Sequence, residues 1–182
     1  MHGQRVILTY EDYLLLPDDG RRYEIHEGEL SVTPAPTPDH QETSGNFNDV
    51  LRHHVKSRRL GKLYYAPIDC ILDDTTIVQP DLVFVDTTRL ERISRRGIEG
   101  APTLVVEVLS PSTSSIDRVR KLRLYARYGV PYYWIVDHET RTVDAYQLVG
   151  NQYELAARAS GSEAASLPPF PDLRLEPESL WS

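Results

Sequence analysis

Cysteine is nearly absent from this chain, because Cys70 is the only one among its 182 residues. A single thiol cannot form an intrachain disulfide, and it cannot build a cysteine-rich zinc site. The first residues, 1–5, lack the apolar core of a secretion signal. The cytoplasm is therefore the expected location.

Long hydrophobic runs are also lacking, since no apolar stretch approaches the roughly 18 residues that would cross a bilayer. We therefore expect no membrane partner. Hydrophobic residues make up 40% of the chain and charged residues 26%, which is typical of a folded domain. The length suits one domain with its own core, and we expect residues 1–182 to form a single domain.

Positive charge is in short supply overall but is unevenly distributed. The net charge of −7 at first argues against a nucleic-acid partner. Residues 52–127, however, contain 14 of the 20 Lys and Arg residues and only 9 of the 27 Asp and Glu residues. This basic segment is compatible with a nucleic-acid surface, and equally with ordinary solvated helix faces.

Apolar periodicity and turn residues predict an alternation of helices and strands. The predicted elements are a helix at 9–16, a hairpin at 23–32, a helix at 39–59 capped by Asp39, strands at 62–72, 77–85 and 103–109, a helix at 115–128, and strands at 132–136, 142–148 and 152–157. The strands at 62–72 and 77–85 should form an antiparallel hairpin. The core order is α-β-β-β-α-β, and its apolar strands need cover on both faces. The sequence therefore predicts an α/β fold in which helices flank a mixed sheet.

Two acids interrupt strands that are otherwise apolar. Glu107 lies in the strand at 103–109 and shares a face with Val105, whereas Asp81 lies in the strand at 77–85 and shares a face with Val83. An isolated buried carboxylate is costly, so such acids are usually paired, protonated or bound to metal. On neighbouring strands the two could hold one Mg²⁺ or Mn²⁺, with the backbone carbonyl of Val108 as a further ligand.

A lysine follows on the next helix. Asp117, Lys121 and Tyr125 recur at intervals of four residues and share one helix face, beside an apolar stripe. Lys121 would reach the strand acids from the edge of that stripe and orient water or stabilise charge on a phosphate. Alternatively, Asp117 and Lys121 form an ordinary surface ion pair.

Two further polar residues are candidates for the same site. Glu24 lies in an apolar context and is either a third carboxylate or the exposed side of a hairpin. His40 follows the proline-rich connector at 33–38, and it either contacts metal or phosphate or is a structural histidine.

Several motifs together resemble a known family, over about residues 10–181. They are the segment at 23–30, Pro38-Asp39-His40, Gln79-Pro80-Asp81-Leu82, the segment Val106-Glu107-Val108-Leu109-Ser110-Pro111-Ser112-Thr113, the trio Asp117, Lys121 and Tyr125, and the segment at 129–137. They resemble the Uma-two family of restriction endonucleases, within the PD-(D/E)XK nuclease superfamily.

The resemblance implies a restriction-endonuclease-like fold in which Asp81 and Glu107 are the metal carboxylates. The usual superfamily pattern has a lysine two residues after the second acid, but this chain has Leu109 there. In this family the lysine role moves to the following helix, which corresponds to Lys121. Glu24 would be an additional acid near the site.

Three hypotheses follow. The first is a nuclease dependent on Mg²⁺ (or Mn²⁺) that cuts DNA by metal-activated water, with Asp81, Glu107, Lys121 and Glu24 as catalytic residues. The second is a nucleic-acid-binding or regulatory module on the same fold without turnover. The third is a homo-oligomeric interaction protein that uses an aromatic edge strand containing Trp134. A homodimer is expected for the nuclease, because two copies of one site can cut both strands.

Overall fold

Eleven strands and four α-helices make up the part of the chain that the computed structural model describes, which is residues 6–110 and 116–181 without the side chains of Ile116 and Asp117. In chain order they are α1 (Tyr10–Tyr13), β1 (Arg22–His26), β2 (Glu29–Thr33), α2 (Pro38–Ser57), β3 (Gly61–Tyr65), β4 (Cys70–Asp73), β5 (Thr76–Val78), β6 (Leu82–Asp86), β7 (Ile98–Glu99), β8 (Leu104–Val108), α3 (Ile116–Arg127), β9 (Tyr132–Asp137), β10 (Thr142–Val149), β11 (Gln152–Ser160) and α4 (Pro177–Leu180). A 3-10 helix, Thr87–Arg92, links β6 to β7.

The strands form two mixed sheets. The smaller sheet has the order β2-β1-β5-β4-β7, and the larger one has the order β11-β10-β9-β8-β6-β3. Neighbouring strands are antiparallel except for β4 with β7 and β8 with β9. The predicted α/β fold with helices flanking a mixed sheet is therefore confirmed, with two sheets in place of one.

Two prolines explain why there are two sheets. The strands predicted at 62–72 and 77–85 are each broken, the first around Pro67 and the second at Pro80. Proline has no N–H group for a strand ladder, so it is excluded from strand interiors. The predicted antiparallel pairing holds for the halves, because β3 pairs with β6 and β4 pairs with β5. The prediction of two unbroken strands is wrong, and the halves belong to different sheets.

The first main helix starts earlier than predicted. Thr37, not Asp39, is its N-cap, and the Thr37 hydroxyl accepts a hydrogen bond from the backbone N–H of His40 at 3.3 Å. Pro38 takes the first helical position, where its missing N–H is harmless and its fixed φ suits the helix. This start places His40 in the first turn of α2.

Two apolar clusters cover the two faces of the larger sheet. Phe47 and Leu51 of α2 pack on one face, and Leu124 and Tyr125 of α3 pack on the other. Val83 and Val105 belong to the α3 side. Because alternate residues of an extended chain share a face, Glu107 of β8 and Asp81, which directly precedes β6, point to the α3 side as well.

Trp134 is not on an edge strand. Its strand, β9, lies between β8 and β10, and the Trp134 side chain is 0% exposed. Its indole Nε1–H donates to the carbonyl oxygen of Pro168 at 2.7 Å. The hypothesis of oligomerisation through an aromatic edge strand containing Trp134 is therefore wrong, because that strand is central and covered.

Within residues 6–110 and 116–181, no helix combines the length and the apolar character needed to span a membrane.

Two glycines should respond to alanine in opposite ways. Gly45 lies inside α2 with no atom within 4 Å of the position of a Cβ, so Gly45→Ala should stabilise the protein by about 1 kcal/mol. Gly61 has a φ of +149°, and an added Cβ would clash with the carbonyl oxygen of Val85. Gly61→Ala should therefore destabilise by more than about 1 kcal/mol. Urea unfolding of both variants measures the two changes in the free energy of unfolding. Changes of the same sign in the two variants would contradict this account.

Candidate active site

Asp81 and Glu107 lie opposite each other at the end of two paired strands. In the antiparallel register of β6 and β8, Leu82 pairs with Val106, and one further step places Asp81 opposite Glu107. Both side chains are buried, at 3% and 6% exposure, and both line one small cavity of about 60 Å³. The two carboxylates therefore share one face and one cavity.

Three groups surround the Asp81 carboxylate. Its Oδ1 is 3.0 Å from Nη1 of Arg22, and its Oδ2 is 3.2 Å from Nε2 of His40. The backbone N–H of Val108 also donates to Oδ2, at 2.8 Å. Burial alone would raise the pKa of Asp81, but the hydrogen bond and charge of His40 and the charge of Arg22 outweigh burial and lower it. Asp81 is therefore ionised at neutral pH.

Glu107 is held on one oxygen only. Its Oε1 accepts hydrogen bonds from Nζ of Lys121 at 2.9 Å and from the hydroxyl of Tyr125 at 2.7 Å. Among the described residues, Oε2 has no hydrogen-bond partner. Burial raises the pKa of Glu107, and the charges of Asp81 and Glu24 add to this against the opposing charge of Lys121.

Glu24 brings the smaller sheet to the same site. Its Oε1 accepts the backbone N–H of Gln79 at 2.7 Å, and its Oε2 lies 2.9 Å from Nε2 of His26 and 3.5 Å from Nζ of Lys121. Burial would raise its pKa, but the charge of Lys121, the hydrogen bond and charge of His26, and the hydrogen bond from the Gln79 backbone lower it overall. Lys121 therefore bridges two acids from different sheets.

Lys121 stays charged in this setting. Burial would lower its pKa, but the charges of Glu107 and Glu24 outweigh burial and raise it. Its side chain is 15% exposed and contacts the strand acids. Lys121 is therefore a site residue and not an exposed lysine. The side chain of Asp117 lies outside the described residues.

Local sequence patterns explain how these side chains converge. Arg22, Glu24 and His26 alternate along β1, so they point to one face, and all three line the cavity. Lys121 and Tyr125 are four residues apart on α3, which places both over Glu107. Arg22 and His26 were not predicted as site residues, although their spacing of two around Glu24 is a signal in the sequence. The helix face shared by Tyr125 and Lys121 was predicted, but the hydrogen bond from Tyr125 to Glu107 was not.

The donor chemistry of the cavity fits a hard divalent cation. The described residues contain no group of three or more His, Cys, Asp or Glu side chains already arranged around a metal position. Mg²⁺, however, is usually held by one or two carboxylates, with water and substrate phosphate as its other ligands. Asp81 and Glu107 supply two carboxylates, and Oε2 of Glu107 has no hydrogen-bond partner among the described residues.

A protein-family model matches most of the chain. The chain belongs to the Uma2 family, which carries the description "Putative restriction endonuclease" and whose model matches residues 10–178. The resemblance to this family is thereby confirmed. The description of the family supports a nuclease.

The fold also occurs in solved structures. One example is the crystal structure of a "putative nuclease belonging to DUF820" from Anabaena variabilis, with a TM-score of 0.77 and 22% sequence identity. The likeness covers 96% of this chain and 97% of that chain. At this identity the likeness concerns the fold alone. No curated protein matches the chain.

Removing the ammonium from this cluster should destabilise the protein. Lys121→Met leaves Glu24 and Glu107 buried without their shared cation, and loss of one partner of a buried ion pair costs about 3 kcal/mol. Urea unfolding at pH 7 measures the change. Arg120→Met is the matched control on the same helix, because Arg120 pairs with Glu29 at the surface and should cost less than about 1 kcal/mol. Equal losses in the two variants would contradict the buried bridge.

Proposed function

We propose that the chain is an endonuclease that uses Mg²⁺ (or Mn²⁺) to hydrolyse phosphodiester bonds in DNA. The observation that carries the proposal is the pair of carboxylates, Asp81 and Glu107, facing one another in a polar cavity with Lys121 bound to one of them. Family membership adds to it.

Asp81 and Glu107 would hold the cation. A bound divalent cation polarises the phosphate and lowers the pKa of a bound water. Asp81 offers an ionised carboxylate, and Glu107 offers an oxygen that no described residue engages. Glu24, which comes from the smaller sheet, helps to keep Lys121 in place through its contact with the ammonium group.

Lys121 acts as a charged group in this scheme. In hydrolysis the oxygen of water bonds to phosphorus as the water loses a proton, the phosphorus–oxygen bond to one sugar breaks, and the departing oxygen takes up a proton. A lysine with a raised pKa keeps its proton, so Lys121 orients the attacking water or stabilises negative charge on the phosphate. The hydroxyl of Tyr125 holds Glu107 toward that lysine.

Arg22 and His40 keep the carboxylate of Asp81 ionised. Each contacts a different oxygen of the carboxylate and favours its ionised form. Both also line the neighbouring groove, so they lie where a phosphate would approach the acids. Their proposed role is to orient Asp81 and to attract the DNA backbone.

A second candidate function is a DNA-binding module on the same fold without turnover. It is favoured by the contacts of Asp81, whose two oxygens are already engaged by Arg22, His40 and the Val108 N–H. A binding protein needs no carboxylate released to a metal. Salt-dependent DNA binding without cleavage, together with no Mn²⁺ binding in calorimetry, would select this function over the nuclease.

The nuclease proposal predicts a specific loss of activity. Glu107→Gln keeps an oxygen that can accept from Lys121 and Tyr125, but it removes the negative charge needed for a hard cation. Plasmid nicking in Mg²⁺ or Mn²⁺ should fall by about 100-fold or more, with melting close to that of the wild type. Asp81→Ala should abolish nicking while the protein remains folded.

The control is Glu99→Gln, which alters an exposed acid that pairs with Arg96 away from the cavity. It should nick as the wild type does. Wild-type activity in Glu107→Gln would contradict the proposed role of Glu107. Loss of folding in Asp81→Ala would point to a structural role for that residue.

A further inference from the structure

A larger groove opens directly beside the acid cavity. Its volume is about 720 Å³, and it shares Arg22, His40 and Asp81 with the acid cavity. We refer to it as the α2 groove, because one wall is a face of α2. The other walls are the connector at 34–36 and the segment at 65–67.

A glycine inside α2 leaves the groove open. Gly45 lies in the helix interior, where glycine is less stable than alanine, and nothing lies within 4 Å of the place where its Cβ would be. Neither helix packing nor a positive φ therefore requires glycine at this position. A glycine also serves where a ligand approaches the backbone closely, and Gly45 lines the groove.

Uncharged hydrogen-bonding side chains line the same helix face. Gln41, Ser44 and Asn48 follow each other at intervals of three and four residues, and all three line the groove. The side-chain Oδ1 of Asn48 is buried and has no hydrogen-bond partner within the described part of the chain. Amide and hydroxyl groups of this kind can hydrogen-bond to the edges of bases.

An exposed aromatic ring lies at the groove beside the acids. Tyr65 ends β3 and is 54% exposed, and the guanidinium of Arg52 lies 5.7 Å from the centre of its ring. The next residue, Ala66, donates its backbone N–H to the carbonyl oxygen of Asp81 at 2.9 Å. This backbone hydrogen bond holds the end of β3, and with it Tyr65, next to Asp81, a proposed metal ligand.

We propose that the α2 groove binds unpaired nucleotides of a single DNA strand next to the phosphate that is cut; this rests on the proposed nuclease function. A base stacks on Tyr65, and the row from Gln41 to Asn48 contacts base edges. Arg21 and Arg22 line the groove and can contact the DNA backbone, although Arg21 pairs with Asp19, Arg22 pairs with Asp81, and Asp18 is a further carboxylate in the lining. A volume of about 720 Å³ lies in the range of small-ligand sites and suits a few nucleotides better than a duplex.

Fluorescence anisotropy with a labelled 12-nucleotide DNA and its duplex tests the subsite. The measurements use the Glu107→Gln background in Mg²⁺, so that the probe is not cut. The single strand should bind at least about 10-fold more tightly than the duplex. Tyr65→Leu removes the stacking face and should weaken single-strand binding by about 10-fold. Gly45→Gln places a side chain in the groove and should weaken binding to a similar extent.

Each variant has a matched control. Tyr10→Leu removes another tyrosine that lies under an arginine, with Arg96 at 4.2 Å, but Tyr10 does not line the groove. His53→Gln introduces the same glutamine on an exposed position of α2 outside the groove. Both controls should bind the single strand as the background protein does. Thermal melting of every variant shows whether a binding loss comes from unfolding, and Gly45→Gln should melt no lower than its parent.

The outcomes separate this subsite from the nuclease proposal. Equal affinity for the single strand and the duplex would overturn the subsite, even if the wild type nicks plasmid. Groove variants that bind the single strand like their controls would also overturn it. If the wild type cuts no DNA but the groove variants lose single-strand binding, the nuclease proposal fails and the α2 groove is a single-strand site without a neighbouring cut phosphate. No binding of either probe would overturn the subsite.

Discussion

The opposition of Asp81 and Glu107 across β6 and β8 is the constraint on which the rest of the site depends. Two carboxylates buried at neighbouring positions on paired strands repel each other. Each is also costly to ionise away from water. The surrounding structure supplies positive charge from three elements: Arg22 from β1, His40 from α2 and Lys121 from α3. The fold can keep both acids in the interior because these elements converge there.

The two acids have different environments, and this difference shifts their pKa values in opposite directions. Asp81 is surrounded by donors on both oxygens, and its pKa is lowered. Glu107 is held on one oxygen by Lys121 and Tyr125, and its pKa is raised. The hydrogen bond from the Gln79 backbone to Glu24 joins the smaller sheet to this arrangement. The junction between the sheets is therefore the place where the site forms.

The sequence predicted the parts of this site that interrupt a regular local pattern. An acid in an apolar strand can be recognised from the sequence, and so can a lysine at the edge of an apolar helix stripe. The family motifs contain both kinds of residue. The sequence could not show that Arg22 meets Asp81, because 59 positions separate them. The chemistry of proline predicts strand breaks at Pro67 and Pro80. The continuous apolar pattern around these residues led instead to the prediction of unbroken strands. The α2 groove has no sequence pattern of its own, because its walls come from separate segments.

The most direct test of the central claim is a crystal structure with Mn²⁺, using anomalous scattering to locate the ion. The account predicts an anomalous peak between the carboxylates of Asp81 and Glu107, with Oε2 of Glu107 as a ligand. A well-ordered crystal soaked in Mn²⁺ that shows no peak there, with Asp81 still held by Arg22 and His40, would contradict it.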